Sequence, residues 1–175
     1  MIRFIFHKIL GWKIIGYTKL PNKCVLIAGP HTHWIDLFLG IAIRNSIGED
    51  IKFIAKEELF IFPLNIIMKF FGGIPVSRHS KTNSVDQISN LIKKNKEFKL
   101  AISPEGTRKK VNKWKSGFYY IAKKSTVPVI SISLNFKKRE VTFYKPHNIT
   151  ENIENDIKVL KTNFKHSVGK IPEYS

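Results

Sequence analysis

A chain of 175 residues with 43% hydrophobic and 12% aromatic content is long enough to bury a core and too apolar to remain disordered. Its 30 lysines and arginines against 13 acidic residues give a net charge of +17, which favours anionic partners: lipid surfaces, nucleic acid or acidic proteins. The single cysteine, Cys24, excludes an internal disulfide; set in an apolar run, it reads as a buried thiol of a reducing cytoplasm.

Residues 1–12 open the chain. Ile2, Phe4, Ile5, Ile9 and Leu10 fall on one side of a short amphipathic helix, with Arg3 and Lys8 on the other. That pattern suits an in-plane membrane contact, with packing on the domain's own core as the alternative. Charges interrupt the segment and no small-residue cleavage site follows. No run of about eighteen uncharged apolar residues occurs anywhere, so neither a secretory signal nor a transmembrane helix is predicted.

The β-branched run 23–28 predicts a buried strand, and 36–44 a helix with Leu37, Phe38, Ile41 and Ala42 on one side. A short strand follows at 51–55. A helix lies within 57–71, entered or broken near Pro63. Its apolar residues, from Leu59 to Met68, suit an acyl-chain cavity, a bilayer contact or core equally well. Next come a strand at 74–76, a helix at 85–94 and a strand at 99–103. A helix at 118–124 and a strand at 128–135 follow. An edge or hairpin strand at 141–144 and an amphipathic helix at 153–164 close the chain. Strands alternating with helices predict an α/β fold: a single domain over 1–175, with a mixed, mostly parallel central sheet flanked by helices.

Two motifs follow directly on predicted strands, where sites of open α/β sheets collect. The first is Gly29-Pro30-His31-Thr32-His33-Trp34-Ile35-Asp36. Histidine exchanges protons near neutrality, and an aspartate on one ring nitrogen leaves the other free to deprotonate a hydroxyl. Nothing looks like a serine or cysteine nucleophile, so the hydroxyl belongs to a substrate and the chemistry reads as direct acyl transfer from a thioester. The positive end of the following helix favours a neutral, basic imidazole. The second motif is Ser103-Pro104-Glu105-Gly106-Thr107-Arg108. Gly106 permits a positive φ or a close ligand approach, amides at such a turn hold phosphate oxygens, and Arg108 with Arg78 supplies planar phosphate-binding forks. Glu105 suits either organising the loop or touching substrate.

Four blocks stand in order: His31-x4-Asp36; Lys56-Glu57-Glu58-Leu59 with Pro63 and Gly73-Ile74-Pro75-Val76-Ser77-Arg78; Pro104-Glu105-Gly106-Thr107-Arg108; and Val127-Pro128-Val129-Ile130. In these the sequence resembles the glycerolipid acyltransferase family, best known for its lysophosphatidate (1-acylglycerol-3-phosphate) acyltransferases. Pro30, His33 and Ser103 depart from the family's usual Asn, Ser or Gln, and apolar residue. The resemblance implies an O-acyltransferase of phospholipid biosynthesis on the cytoplasmic face of the membrane, bound peripherally. His31 and Asp36 would be catalytic; Arg78, Glu105, Gly106, Thr107 and Arg108 would bind substrate, with His33 and Lys115 as accessory candidates. The acceptor would be a lysophospholipid such as lysophosphatidate, or alternatively a lyso-aminolipid lacking phosphate. The donor would be acyl-CoA or acyl carrier protein, an acidic partner. An anionic membrane surface would be a further partner, and no metal or cofactor is expected.

Two remote readings compete. His31-x-His33 with Asp36 has the look of metal ligands in a hydrolase, although no further His or Cys cluster has ligand spacing. Arg108-Lys109-Lys110, Lys113-Trp114-Lys115 and Phe118-Tyr119-Tyr120 interleave charge with aromatics as nucleic-acid surfaces do, but no nucleic-acid module accompanies them and nucleic acid is not expected as a partner.

Overall fold

The computed structural model describes residues 11–76 and 84–175. Its strands are β1 (Lys13–Ile15), β2 (Lys23–Gly29), β3 (Ile51–Lys56), β4 (Gly73–Val76), β5 (Phe98–Ile102), β6 (Val129–Asn135) and β7 (Glu140–Phe143). They form one sheet in the order β1-β7-β6-β2-β5-β3-β4. From β6 to β4 every neighbour is parallel; only the β6–β7 hairpin is antiparallel. The helices are α1 (Ile35–Ile47), α2 (Leu64–Phe70), α3 (Ser84–Lys94), α4 (Gly117–Ser125) and α5 (Ile153–Thr162).

Both faces of β2 are covered, which is why its sequence reads as an unbroken apolar run instead of an alternating one. Leu26 and Cys24 face a core with Leu39 and Ile43 of α1, together with Ile130 and Ile132. Val25 and Ile27 face the other core, with Ile88 and Ile92 of α3, Phe118 and Ile121 of α4 and Leu160 of α5. Right-handed crossovers require this division: β2 to β3 moves one way across the sheet, while β4 to β5 and β5 to β6 move back. The result positions β2 between its two parallel neighbours, β5 and β6, with their carboxyl ends beside its own.

Beneath β2, at the opposite end, Glu49 is buried with Lys99 Nζ at 2.9 Å, the Tyr17 hydroxyl at 2.8 Å and Leu20 N at 3.2 Å. Burial works to raise the Glu49 carboxyl, but the hydrogen bonds from Lys99, Tyr17 and Leu20 outweigh it and hold it below its ordinary value. Burial also pushes the Cys24 thiol up to about 12, so Cys24 is packing material and not a nucleophile.

The helix expected over 1–12 lies mostly outside the described residues. Its last two, Gly11 and Trp12, are not helical. Gly11 takes a positive φ of 67° and Trp12 packs edge-on against Phe136 at 5.0 Å, leading into β1. β1 itself is absent from the sequence expectation. It exists because the outer edge of β7 offers a parallel ladder, which three residues alone do not announce. The 57–71 region divides into a single turn of 3-10 helix, Glu57–Leu59, and α2. Pro63, lacking an N–H, sits at the N-cap of α2.

Candidate active site

The chain leaves β2 at Gly29 and turns into α1 within six residues. This junction holds His31 and Asp36 together by local geometry. His31 Nδ1 lies 3.0 Å from Asp36 Oδ2, with the aspartate side chain 3% exposed and the histidine 28% exposed. The same Oδ2 accepts the Thr32 N–H at 2.8 Å and the His33 N–H at 2.9 Å. An aspartate in the first turn of a helix thus ties down the backbone before it and the ring of His31 in one step.

His33 serves its own turn. Its Nδ1 accepts the Ile35 N–H at 3.2 Å, and its ring lies 5.4 Å from that of Trp34. His31 and His33 also do not share a strand face, since β2 ends at Gly29. Among the described residues no group of three or more His, Cys, Asp or Glu side chains converges as metal ligands.

The second motif follows β5, the direct neighbour of β2. Glu105 Oε2 accepts the His31 backbone N–H at 2.7 Å. Burial pushes the Glu105 carboxyl up; the His31 N–H opposes this, and the nearby Asp36 adds to the rise. The two motifs, 74 residues apart, are therefore joined through the backbone of the histidine. Gly106 closes the turn with a φ of +65° and its N–H bonds to Ser103 O at 3.2 Å. Lys115 lies across it: a Cβ at Gly106 would stand 2.7 Å from Lys115 Cδ. The Lys115 N–H reaches Pro104 O at 2.8 Å, so this candidate accessory residue braces the motif. Thr107 Oγ1 accepts the Lys109 N–H at 3.4 Å, and Thr107 and Arg108 are exposed. Arg78, the other phosphate-binding candidate, lies outside the described residues.

These residues and their junctions have a known counterpart. The sequence profile described as "Acyltransferase" matches residues 12–135. The chain belongs to the acyltransferase family. It is 31% identical over 131 residues to the chloroplastic 1-acyl-sn-glycerol-3-phosphate acyltransferase BAT2 of Brassica napus, covering 69% of this chain and 36% of that protein. It is 33% identical over 136 residues to the chloroplastic 1-acyl-sn-glycerol-3-phosphate acyltransferase LPAT1 of Arabidopsis thaliana, covering 74% of this chain and 36% of that one. The chain thus matches about a third of the length of these curated relatives. Among solved structures, the 1-acyl-sn-glycerophosphate acyltransferase PlsC of Thermotoga maritima superposes with a TM-score of 0.67 at 21% identity, over 94% of this chain and 75% of that one. That likeness establishes the acyltransferase fold.

Two features of this chain were not legible in its motifs. Residues 168–175 cross the mouth of the first motif: Ile171 N–H donates to Thr32 Oγ1 at 3.1 Å, and Gly169 lies so close to the Thr32 side chain that a Cβ would collide with it. The segment is anchored where Phe136 N–H meets Val168 O at 2.8 Å. No local pattern in these residues signals the contact. The second feature is an apolar surface at the exit of β3. Leu59, Ile61, Phe62, Leu64, Ile66, Ile67 and Phe70 are exposed, Phe62 to 76% and Phe70 to 79%. Only Met68 of α2 is buried, so most of this stretch is not core. Trp34 and Phe38, edge-on at 5.6 Å, are also exposed on α1. Arg44 Nη1 ties the two helices, reaching Phe71 O at 2.7 Å and Ile51 O at 3.0 Å.

Proposed function

We propose that this chain transfers a fatty acyl group from a thioester, carried by coenzyme A or an acyl carrier protein, to the free hydroxyl of lysophosphatidate. The observation that carries the reading is the 3.0 Å contact from His31 Nδ1 to Asp36 Oδ2. The aspartate oxygen, already accepting two backbone N–H groups, accepts again from Nδ1–H. Nε2 is then the nitrogen with an open lone pair. It removes the acceptor's hydroxyl proton as that oxygen bonds to the thioester carbonyl carbon. When the C–S bond breaks, the thiolate takes the same proton back from Nε2. Acyl ester and free thiol leave, His31 is regenerated, and the step calls for no metal or cofactor.

Glu105 sets the position of His31 through its backbone and does not meet the reacting atoms. Arg108, exposed after the Gly106 turn, meets the acceptor's phosphate, a role Arg78 shares on sequence grounds. The exposed apolar surface of α1 and α2 rests against the bilayer that holds the acceptor. No helix among the described residues is long and apolar enough to cross a membrane, so association is peripheral on this reading, and the +17 charge favours anionic lipid. The names of the curated relatives, both 1-acyl-sn-glycerol-3-phosphate acyltransferases, support this acceptor.

The test is release of free thiol by purified protein, with lysophosphatidate and phosphate-free lyso-lipids as acceptors and both donor types. Turnover should require lysophosphatidate and fall by about 10²–10⁴ in His31→Ala. A folded His31→Ala protein releasing thiol at the wild-type rate overturns the mechanism. Turnover confined to a lyso-aminolipid overturns the acceptor.

A further inference from the structure

On the reading just given of a thioester donor, we infer that the cleft between the 108–115 loop and α5 receives the donor's 4′-phosphopantetheine arm, with Lys110, Lys161 and Lys165 meeting its phosphate. The cleft holds about 210 Å³, and its lining includes Pro30, Glu105, Trp114, Phe164, Tyr174 and the three lysines. It is smaller than the about 300–1,000 Å³ of a site that engulfs a whole small ligand. A slender arm fits that volume, leaving a nucleotide or a carrier protein outside.

The lining combines the chemistries such an arm presents. Trp114 and Phe164 stand edge-to-face at 5.2 Å and offer apolar walls to methylene and methyl groups. The rim is cationic where the phosphodiester would lie. Lys161 is held ready there, its Nζ 5.5 Å above the Trp114 ring and 3.3 Å from Asn112 O. Five of the eight residues from Arg108 to Lys115 are basic. Among the described residues, Lys109, Lys110, Lys113 and Lys165 have no carboxylate within ion-pair distance. Unpaired charge concentrated at the rim of a cleft attracts and focuses an anion.

The cleft's inner end decides the direction of the arm. Pro30 immediately precedes His31, and Glu105 accepts the His31 N–H at 2.7 Å, so an arm inserted phosphate outward brings its thioester to the dyad. The approach is also separate from the lipid's. Trp114, Phe164 and α5 belong to the core on the α3–α4 face of the sheet, whereas α1 packs on the opposite face and carries the exposed Trp34 and Phe38. The donor arm then approaches on the face of the sheet opposite the apolar surface of α1, while the acceptor's phosphate meets Arg108 at the start of the loop.

The test is the charge swap Lys110→Glu/Lys165→Glu, at two exposed positions where the fold has nothing to lose. A lost charge-assisted hydrogen bond is worth about tenfold in affinity, so the donor KM should rise at least about tenfold with both acyl-CoA and acyl carrier protein. The KM for lysophosphatidate should stay within about twofold, the margin such a contact leaves untouched. The same swap at the opposite end of the sheet, Lys94→Glu/Lys96→Glu, controls for net charge and should change neither constant. An unchanged donor KM in the cleft variant overturns the inference. So does a loss seen only with the carrier protein, because both donors carry the same arm. Calorimetry with 4′-phosphopantetheine alone gives a readout independent of turnover: wild-type protein should bind it and the cleft variant should bind it about tenfold or more weakly. Binding without wild-type thiol release refutes the acyltransfer reading and leaves the cleft standing; thiol release without binding refutes the cleft alone.

Discussion

The described residues contain two histidine–aspartate pairs built on the same plan and set in different surroundings. His31 and Asp36 meet through Nδ1 at 3.0 Å; His147 and Asp156 meet through Nε2 at 2.8 Å. In each, the aspartate lies in the first turn of a helix, is shielded from solvent and also accepts backbone N–H groups ahead of it. Asp156 spends both oxygens: Oδ1 takes the His147 ring, and Oδ2 takes the Thr150 N–H at 2.7 Å and hydroxyl at 3.0 Å. Asp36 gathers all three of its contacts on Oδ2. The decisive difference is place. His31 follows the carboxyl end of β2, beside Glu105 and an open cleft. His147 pairs by its backbone with Val129, at the start of β6 and the opposite end of the sheet. A buried aspartate orienting a histidine is thus a structural device first. The catalytic role proposed for His31 rests on its place beside the second motif, which His147 lacks.

Exchanging the perturbations between the pairs separates those roles. The largest effect expected is on activity at the first pair. His31→Ala should lower thiol release by about 10²–10⁴ and leave the melting temperature nearly unchanged. His147→Ala should keep turnover and lose about 1–3 kcal/mol of stability, because Asp156 Oδ1 is left buried without its partner. Thermal melts and initial rates on both variants check this, and a collapse of activity in a folded His147→Ala protein erases the distinction.

The aspartates sharpen it further. Asp36→Asn retains an oxygen for the Thr32 and His33 amides but presents no carboxylate to the imidazolium. Turnover should fall by at least about 10². Combined with His31→Ala it should add little, because the two act as one unit. Asp156→Asn should again appear in stability alone. A multiplicative double mutant at the first pair would mean that Asp36 acts independently of His31.

A smaller effect is expected at Glu105. The Gln side chain in Glu105→Gln retains an acceptor for the His31 N–H and removes a charge that burial already disfavours. The rate should fall less than about tenfold, as for one neutral hydrogen bond in place of a charged one, and stability should not drop. Glu105→Ala, lacking the acceptor, should be slower than Glu105→Gln. Equal rates in the two variants would remove Glu105 from the positioning of His31.

The smallest effect is a pH signature of the second pair. Burial works to raise the Asp156 carboxyl, but the His147 ring and the two Thr150 groups outweigh it and hold it below its ordinary value. A depressed carboxylate contributes stability in full above the unfolded value of about 3.9 and loses it as pH falls through the lower folded value. Wild-type protein should therefore lose stability below about pH 4 more steeply than Asp156→Asn. Parallel acid profiles for the two would assign the acid transition to other groups, Glu49 first among them.

The exposed apolar surface around α2 shows where reading a sequence stops. The apolar residues from Leu59 to Met68 fit core, bilayer or acyl-chain contact equally, because periodicity reports that a side is apolar and not what covers it. Burial removed core from that set for all but Met68, whose apolar neighbours are exposed. Glu105 is the parallel case at the site. Its motif marked it, but its contact with the His31 N–H, across 74 residues of chain, appears only in the fold.

The sequence by itself determined the elements whose causes are local. β2 is a β-branched run, and Asp36 reaches His31 across a single strand-to-helix turn, a contact that five residues of spacing can enforce; α1 was legible as a helix but not its buried side, since Phe38 of the expected side is exposed while Leu39 and Ile43 are inside. The family was legible for the same reason, since its blocks are short and ordered. Tertiary structure alone decided the sheet order, the addition of β1 to β7 and the brace from Glu105. It also decided the strap of 168–175 over Thr32 and the cleft walled by Trp114 and Phe164. Each of these joins segments far apart in the chain, and such contacts are selected by which surfaces remain unburied once the helices have crossed the sheet. That competition among surfaces leaves no mark at a fixed spacing, which is why two similar histidine–aspartate pairs end at opposite ends of the sheet.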